Sequence, residues 1–309
     1  MKSYLCKRVL NIIPISLAAI FLTLFLLRMV PGDPVDQILG EYASLSDKNT
    51  LREQLGLNKS LYKQLFSYLK GVVQGDLGFS LVYHTPVSQL ILERLPATLK
   101  LAFASVLLAL LLGLPTGVLA AFYKGKAWDK VLMTFSLVGV ALPNFWLGPI
   151  LILIFSVKFN LLPVSGYGSS SHYVLPVVTM GTALMAVVSR ITRNSLIIHM
   201  GADYVRTARA KGLRFSHILL THILKNSALP VITIVSLQFS VLLTGTVVTE
   251  VIFDWPGIGS LVLEALRNRD YPLVQGCVLF FCFSYGFISL LTDMIYVYAD
   301  PRISYQNKG

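Results

Sequence analysis

The side chains that most often carry out catalysis are scattered singly along this sequence. His217 and His222 are five positions apart, whereas two histidines that bind a metal from one helix face, as in H-E-x-x-H, are about four apart. The chain contains no G-x-x-x-x-G-K-[ST] phosphate-binding loop, no H-E-x-x-H and no G-x-S-x-G. The pattern predicts that the chain is not an enzyme, holds no metal site and binds no ATP or other cofactor itself.

Charged side chains are concentrated in one short polar segment, residues 201–212, with the sequence G-A-D-Y-V-R-T-A-R-A-K-G. Asp203 is expected to cap the first turn of a helix by accepting a backbone N–H. Gly212 is expected to end that helix, because glycine adopts the left-handed conformation without strain. A second amphipathic helix is predicted by four apolar residues at helical spacing, Phe215, Ile218, Leu219 and Ile223.

The first of these two helices has a distinct surface. Helical spacing places Tyr204 and Ala208 on one face with Lys211 below them, and Arg206 and Arg209 around the other side. We predict that such a short helix, with small and basic side chains, is a binding surface for another protein. We call this surface the basic segment, and its residues are Asp203, Tyr204, Arg206, Thr207, Ala208, Arg209, Ala210, Lys211, Gly212 and Arg214.

The composition identifies the elements that must position this segment. Of 309 residues, 55% are hydrophobic and 13% are charged, whereas soluble domains carry about 25% charged residues. A membrane-spanning helix needs about 20 mainly apolar residues. We therefore predict an all-α membrane protein with six transmembrane helices, the fourth of them interrupted by Pro176, Gly181 and Thr182. The six stretches are Val9–Met29, Leu99–Phe122, Val131–Val157, Tyr173–Ser189, Ala228–Val251 and Val274–Val297.

The distribution of basic residues predicts the orientation. The two short outer loops hold only Lys158, Arg267 and Arg269, whereas the 190–227 loop holds Arg190, Arg193, Arg206, Arg209, Lys211, Arg214 and Lys225. Lysine and arginine accumulate on the cytoplasmic side of short membrane loops. Both termini and the 190–227 loop are therefore predicted to be cytoplasmic. The net charge of +11 follows from this topology and does not predict a nucleic-acid partner.

The predicted spans divide the chain into three parts. Residues 1–30 are the N-terminus and the first transmembrane helix, whose apolar run is too long for the h-region of a signal peptide, so we expect the helix to be retained. Residues 31–97 form an extracytoplasmic module, either a docking surface for another protein or a cap over the mouth of the pathway. Residues 98–309 form a five-helix membrane core that carries the 190–227 loop.

Polar side chains inside the spans are candidates for lining a translocation path. The fifth span is the most polar of the six, and we predict that Gln238, Ser240 and Thr244 face the path. Asn144 in the third span is a further candidate. Its alternative role is to bond the carbonyl group that Pro143 leaves without a donor.

The basic segment resembles the cytoplasmic EAA loop in the permease subunits of binding-protein-dependent ABC importers. Aligning Gly212 with the glycine of that loop places Arg206, Thr207 and Ala208 at the E-A-A positions, of which only the second alanine is retained. The local sequence D-Y-V-R-T-A-R-A-K-G-L is typical of the branch that transports dipeptides, oligopeptides and nickel.

Other motifs resemble the same branch, and together they cover nearly the whole chain. They are R-x-x-P-G-D-P at 28–34, E-x-x-F-x-W-P-G-x-G at 250–259, R-D-Y-P at 269–272 and D-P-R at 300–302. The resemblance implies the type I ABC importer permease fold in a bacterial inner or plasma membrane.

The same resemblance implies the partners. They are two ABC ATPase subunits that bind ATP and magnesium, a second homologous permease subunit, an extracytoplasmic solute-binding protein and membrane lipid. In this arrangement the basic segment contacts the ATPases. Packing comes from Tyr204, Ala208 and Gly212, and charge complementarity comes from Arg206, Arg209, Lys211 and Arg214.

The expected function is ATP-driven import of peptides of the dipeptide or oligopeptide class. Import of nickel or glutathione by the same architecture is one alternative. An autonomous secondary transporter is an alternative of a different class, which would favour inverted repeats and charged residues at mid-membrane. The sequence has no evident internal repeat, and Asp293 is the main acidic residue within its spans.

Overall fold

The computed structural model describes residues 2–29, 34–40, 42–54, 58–245 and 247–299, and these residues are almost entirely helical. Two predicted features lie outside the described residues: positions 31–33 of the P-G-D-P box and the D-P-R motif. The helices are α1 (Lys2–Met29), α2 (Pro34–Leu39), α3 (Leu45–Gln54), α4 (Leu61–Val73), α5 (Val87–Phe122), α6 (Ala127–Ala141), α7 (Asn144–Leu151), α8 (Ser170–Met200), α9 (Asp203–Ala210), α10 (Phe215–Ile218), α11 (Leu224–Gly245), α12 (Val247–Ile252), α13 (Ile258–Arg267) and α14 (Tyr271–Ala299).

Each predicted span falls on one or two helices of the described residues. By length and composition, four helices can cross a membrane, and they are Val87–Phe122, Ser170–Met200, Phe215–Thr244 and Tyr271–Ile295. The third predicted span is a pair of helices, α6 and Asn144–Lys158, bent by 97°. Leu142 and Pro143 have extended backbones at this bend, because proline disfavours helical geometry in the residue before it. The first span is represented by a shorter apolar stretch, Ile12–Leu27.

The fourth predicted span is longer and more regular than the sequence indicates. α8 runs unbroken through Pro176 for 31 residues. It is also the most buried of the four long helices, with 61% of its apolar window covered by the chain, against 22–44% for the others. α8 packs against α6, α7 and α11. Its tightly packed surroundings explain why a helix with few strongly apolar residues on its buried face is stable here.

Glycines on the neighbouring helices allow their backbones to approach α8 closely, as the G-L-P-T-G sequence of α5 predicts. A Cβ atom on Gly117 would lie 2.5 Å from the carbonyl oxygen of Ser189. On α6, a Cβ atom on Gly139 would lie 2.8 Å from the carbonyl oxygen of Thr182. Both distances are below van der Waals contact, so these two positions accept only glycine without a shift of the helices.

The chain forms two compact units, and the first comprises residues 1–98 and 256–287. Its core contains Val87, Ile91, Ile258, Leu261 and Leu273. Asp270, from the R-D-Y-P motif, is fully buried there. Its carboxylate accepts hydrogen bonds from the Ser80 hydroxyl, the Val82 N–H and the Leu273 N–H. The motif therefore connects the segment before α5 with the start of α14.

The second unit comprises residues 99–255 and 288–309. Its core is formed by α5, α8 and α11, with Ala109, Leu184 and Val188 at the centre. The E-x-x-F-x-W part of the second motif is buried in this unit. The Trp255 ring packs edge-on against Tyr167 and Tyr173, with ring centroids 4.8 Å and 4.6 Å away. This aromatic cluster holds the segment after α12 against the turn before α8.

Candidate functional site

α9 is attached to the second unit by one narrow apolar edge. Val205 is 1% exposed and Ala208 is 8% exposed. Both pack in a cluster with Leu196 of α8 and with Ile218 and Ile223 of the helix that follows. The remaining α9 side chains are exposed. The helix therefore presents polar and basic groups outward from a fixed position.

The burial of Ala208 corrects one part of the predicted surface. Ala208 was expected to pack against an ATPase subunit together with Tyr204 and Gly212, but its methyl group lies inside the chain's own core. Tyr204 is 37% exposed, and its hydroxyl is 3.0 Å from His199 Nδ1. Val205, which the spacing argument omits, is the most buried residue of α9. The i, i+3 spacing of the apolar residues Val205 and Ala208 could have indicated this buried edge from the sequence.

Asp203 does not cap α9, contrary to the prediction. The residue with the extended N-cap backbone is Ala202, and no side chain caps the helix there. The N–H groups of Gly201 and Ala202 still bond carbonyl groups at the end of α8, so the turn is too tight to leave Asp203 outside the helix. Asp203 is instead the first helical residue, and its carboxylate lies 3.6 Å from the guanidinium of Arg206.

Gly212 ends α9 as predicted. Its φ angle is +78°, in the left-handed region. The N–H of Gly212 bonds the carbonyl of Arg209 at 2.9 Å, and the N–H of Leu213 bonds that of Ala208 at 3.3 Å. These bonds close the last turn of the helix and reverse the chain toward α10.

The outward face of α9 and the turn after it are basic. Arg206, Thr207, Arg209, Ala210, Lys211 and Arg214 are all exposed. The Arg209 guanidinium lies over the Phe215 ring at 5.2 Å, and the Phe215 ring packs edge-on against Phe122 at 6.2 Å. These ring contacts hold one of the exposed charges in place above the end of α5.

The predicted second short helix is not a separate element. α10 continues through the π-helical turn Leu219–Ile223 into α11, so that one helix runs from Phe215 to Thr244. Ile218 and Ile223 at its start are fully buried against α9 and α8. Likewise, residues 190–200 of the predicted 190–227 loop continue α8. The basic segment is therefore joined directly to two long helices.

A buried ion pair lies near the same end of α8, and the sequence argument missed it. Arg193 of α8 donates two hydrogen bonds to the Asp129 carboxylate of α6, at 2.6 and 2.7 Å. The Gly125 N–H donates a third, at 2.9 Å. Asp129 is only 4% exposed. The predicted 190–227 loop includes Arg193, whereas α8 extends seven residues beyond it. A basic residue inside a helix would have indicated a buried acidic partner.

The four predicted path residues fall into two groups. The Ser240 hydroxyl is buried and donates to the carbonyl of Ser236 at 3.1 Å. The Thr244 hydroxyl donates to the carbonyl of Ser240 at 3.1 Å. Both hydroxyls are thus satisfied within α11, which accounts for their tolerance in an apolar helix. Asn144 and Gln238 are half-buried, and they remain candidates for the path.

Two family models match the chain, one in its N-terminal part and one in the remainder. A model described as binding-protein-dependent transport system inner membrane component matches residues 113–305. A model of the N-terminal part of such membrane components matches residues 1–102. Both residues 31–97 and the helices that carry the basic segment thus fall within the matched regions.

Curated relatives match along their whole length. The chain is 39% identical over 306 residues to the glutathione transport system permease protein GsiC of Escherichia coli strain K12, covering 99% of this chain and 100% of the relative. The GsiC protein of Shigella dysenteriae serotype 1 matches with the same identity and coverage.

Solved structures support the fold. A chain of the inward-facing MetNI methionine ABC transporter superposes with a TM-score of 0.54 at 16% identity, covering 69% of this chain and 97% of that one. A chain of an amino acid ABC transporter solved with histidines superposes with a TM-score of 0.51 at 17% identity, covering 70% and 94%. These similarities show the permease fold of ABC importers.

The match to inner membrane components agrees with the long apolar helices, so the chain is a multi-pass protein of the bacterial inner membrane. The matched family consists of transport components. Membership of such a family agrees with the prediction that the chain is not itself an enzyme. The chain belongs to the family of binding-protein-dependent transport system inner membrane components, and it is a permease subunit of the ABC importer class.

Proposed function

We propose that this subunit imports small peptides, glutathione among them, after a solute-binding protein has delivered them to its outer side. The observation that carries the proposal is the match to glutathione permeases over 99% of the chain, extracytoplasmic segment included. Glutathione is itself a tripeptide, so the expected peptide class and the substrate for which these relatives are named share the same chemical groups.

The substrate proposal is tested by competition for uptake. The chain would be reconstituted in liposomes with its ATPase subunits, its permease partner and its binding protein, and ATP-driven uptake of labelled glutathione would be measured. We expect unlabelled dipeptides or tripeptides to compete, and amino acids not to. Uptake of a nickel complex that peptides fail to inhibit would contradict the peptide proposal and favour the nickel alternative.

We further propose that the basic segment couples ATP hydrolysis to transport. Its support is the fixed position of α9 together with the exposed charges of Arg206, Arg209, Lys211 and Arg214. Two ATPase subunits would each bind and hydrolyse ATP with magnesium, and one of them would contact this face. Since α9 packs on Ile218 and Ile223, a push on α9 would move the start of the helix Phe215–Thr244.

The other half of the path would come from a second homologous permease, which we expect to be a different chain of the same family. Half-buried polar groups on this chain would line its half of the path. Asn144 and Gln238 are half-buried, which supports this role for them. Ser240 and Thr244 would instead serve the packing of α11, since their hydroxyls are bonded within it.

A further inference from the structure

α4, in the extracytoplasmic segment, has one face packed against the first membrane helix. Leu61, Leu65 and Leu69 contact a buried cluster that contains Ile20 and Leu24 of α1. The ring of Tyr62 also stacks on Phe21, with centroids 6.3 Å apart. α4 is therefore a neighbour of the membrane span itself.

The contact residues on α1 set the depth of α4. Ile20 and Leu24 lie within the apolar stretch Ile12–Leu27. At 1.5 Å per residue, Ile20 lies about 10 Å along the helix from Leu27. Phe21 and Leu22 of the same stretch are exposed at 36% and 54%, as lipid-facing side chains are. The contacts of α4 with Leu24 and Ile20 thus lie about 5–10 Å inside the end of this stretch, which is the depth to which an interfacial amphipathic helix buries its apolar face.

The exposed surface of α4, beside the face that contacts α1, combines aromatic rings with lysines. Tyr62 is 75% exposed and Phe66 is 74% exposed. They line one shallow surface groove with three lysines and a serine, and its residues are Lys59, Tyr62, Lys63, Phe66, Ser67 and Lys70. Residues 58–75 contain no aspartate or glutamate. In water two exposed rings on a short helix would be costly, whereas at a membrane interface this pattern is favourable.

We propose that this face of α4 is a binding site for acidic phospholipid of the outer leaflet. The rings of Tyr62 and Phe66 insert among the upper acyl chains. Lys59, Lys63 and Lys70 extend their apolar stems along the ring surface and place their ammonium groups at the headgroup phosphates. The site holds the extracytoplasmic segment at the membrane surface beside α1. It depends on the membrane location of α1 and not on the identity of the transported substrate.

The test uses spin labels on the full complex in lipid nanodiscs. Cys6, Cys277 and Cys282 are replaced by alanine, and uptake is checked. Single cysteines at Phe66 and at Tyr42, which is fully exposed between α2 and α3, are then labelled. We expect the label at Phe66 to be accessible to oxygen and protected from a water-soluble nickel chelate. The label at Tyr42, as the aqueous control, should show the reverse.

The role of the lysines is tested at the same label. Adding phosphatidylglycerol to phosphatidylcholine nanodiscs should lower the nickel accessibility at Phe66 in the parent protein. Lys59→Gln/Lys63→Gln/Lys70→Gln should lose that response, and the matching triple arginine variant should keep it. A label at Phe66 that the nickel chelate reaches in every lipid would overturn the proposal. Protection that appears only when the solute-binding protein is added would also overturn it, and would assign the face to that protein.

Discussion

The ion pair between Asp129 and Arg193 is the strongest single polar contact near the basic segment. Two hydrogen bonds join the side chains of α6 and α8, and the carboxylate is nearly inaccessible. Breaking such a pair leaves a buried charge without its partner, which costs more than the pair contributes when intact. The pair therefore fixes which face of α8 meets α6 close to where α9 begins.

Replacing Arg193 should destabilise the protein measurably. We expect Arg193→Gln to cost about 3 kcal/mol, at the low end for a broken buried ion pair, because the Arg193 side chain keeps 22% of its surface exposed. Thermal unfolding of the purified complex would measure it. The control is Asp203→Asn, which removes the exposed pair with Arg206 and should leave the melting temperature unchanged. Equal shifts for the two variants would refute this account of the pair.

The left-handed backbone of Gly212 predicts that a side chain at this position destabilises the end of α9. Gly212→Ala should destabilise the end of α9 by about 1 kcal/mol, because an L-residue is strained in the left-handed region. Gly201 provides a matched control, since it has a right-handed backbone and an added Cβ would meet nothing closer than 3.7 Å. Hydrogen exchange of residues 203–214 should speed up in Gly212→Ala only. Similar exchange in both variants would show that the turn tolerates a side chain.

For single residues, the sequence predicted a structural role correctly where only one residue type can fill that role. Gly212 was predictable because few residues other than glycine end a helix in the left-handed region. Asp203 was predicted to cap α9, but a cap depends on where the preceding turn places the first helical residue, and spacing does not reveal this. The pairing of Asp129 with Arg193 was not predictable, since 64 residues separate them and only the packing of α6 on α8 brings them together.

At the scale of elements, α8 organises the second unit, and its close packing depends on glycine. Gly117→Ala should push α5 away from α8, because the new methyl group would lie 2.5 Å from the Ser189 carbonyl oxygen. We expect a loss of about 1–3 kcal/mol, the usual cost of overpacking. Gly201→Ala is again the neutral control. Wild-type thermal stability in Gly117→Ala would contradict the close approach of these helices.

The helix Phe215–Thr244 makes a prediction about the path. Gln238→Ala should raise the substrate concentration needed for half-maximal uptake, because a half-buried amide on the path would contact the solute. Ser240→Ala should leave that concentration unchanged, since its hydroxyl bonds the Ser236 carbonyl within the helix. Uptake kinetics in proteoliposomes would distinguish them. If Ser240→Ala has the larger effect, Gln238 does not face the path.

The sequence predicted the existence of these elements better than their extent. Apolar length marked the four long helices and the bent pair, but it could not show that α8 continues past Ser189 or that α10 joins α11. Those boundaries depend on burial: the polar end of α8 is helical because Leu196 packs beneath Val205 and Ala208. Periodicity placed Ala208 on one face with Tyr204, but it does not say which side of a short helix the rest of the chain covers.

For the whole molecule, we propose that ATP hydrolysis on the partner subunits is coupled to the membrane helices through the basic segment. The chain supplies a fixed helix, an exposed basic face and a direct helical connection into the membrane. Electrostatic attraction between this basic face and an acidic groove on an ATPase subunit would depend on those charges and would weaken with salt. A charge reversal on α9 therefore separates coupling from folding.

The most direct measurement compares Arg206→Glu/Arg209→Glu with wild type in the purified complex. Both arginines are exposed, so the fold should be kept, and Lys126→Glu in the α5–α6 turn is the matched control. We predict that the double variant retains the second permease but loses the ATPases in a pull-down, and loses ATP-driven uptake. ATPases that remain bound, with uptake at the wild-type rate, would contradict the coupling role of the basic segment.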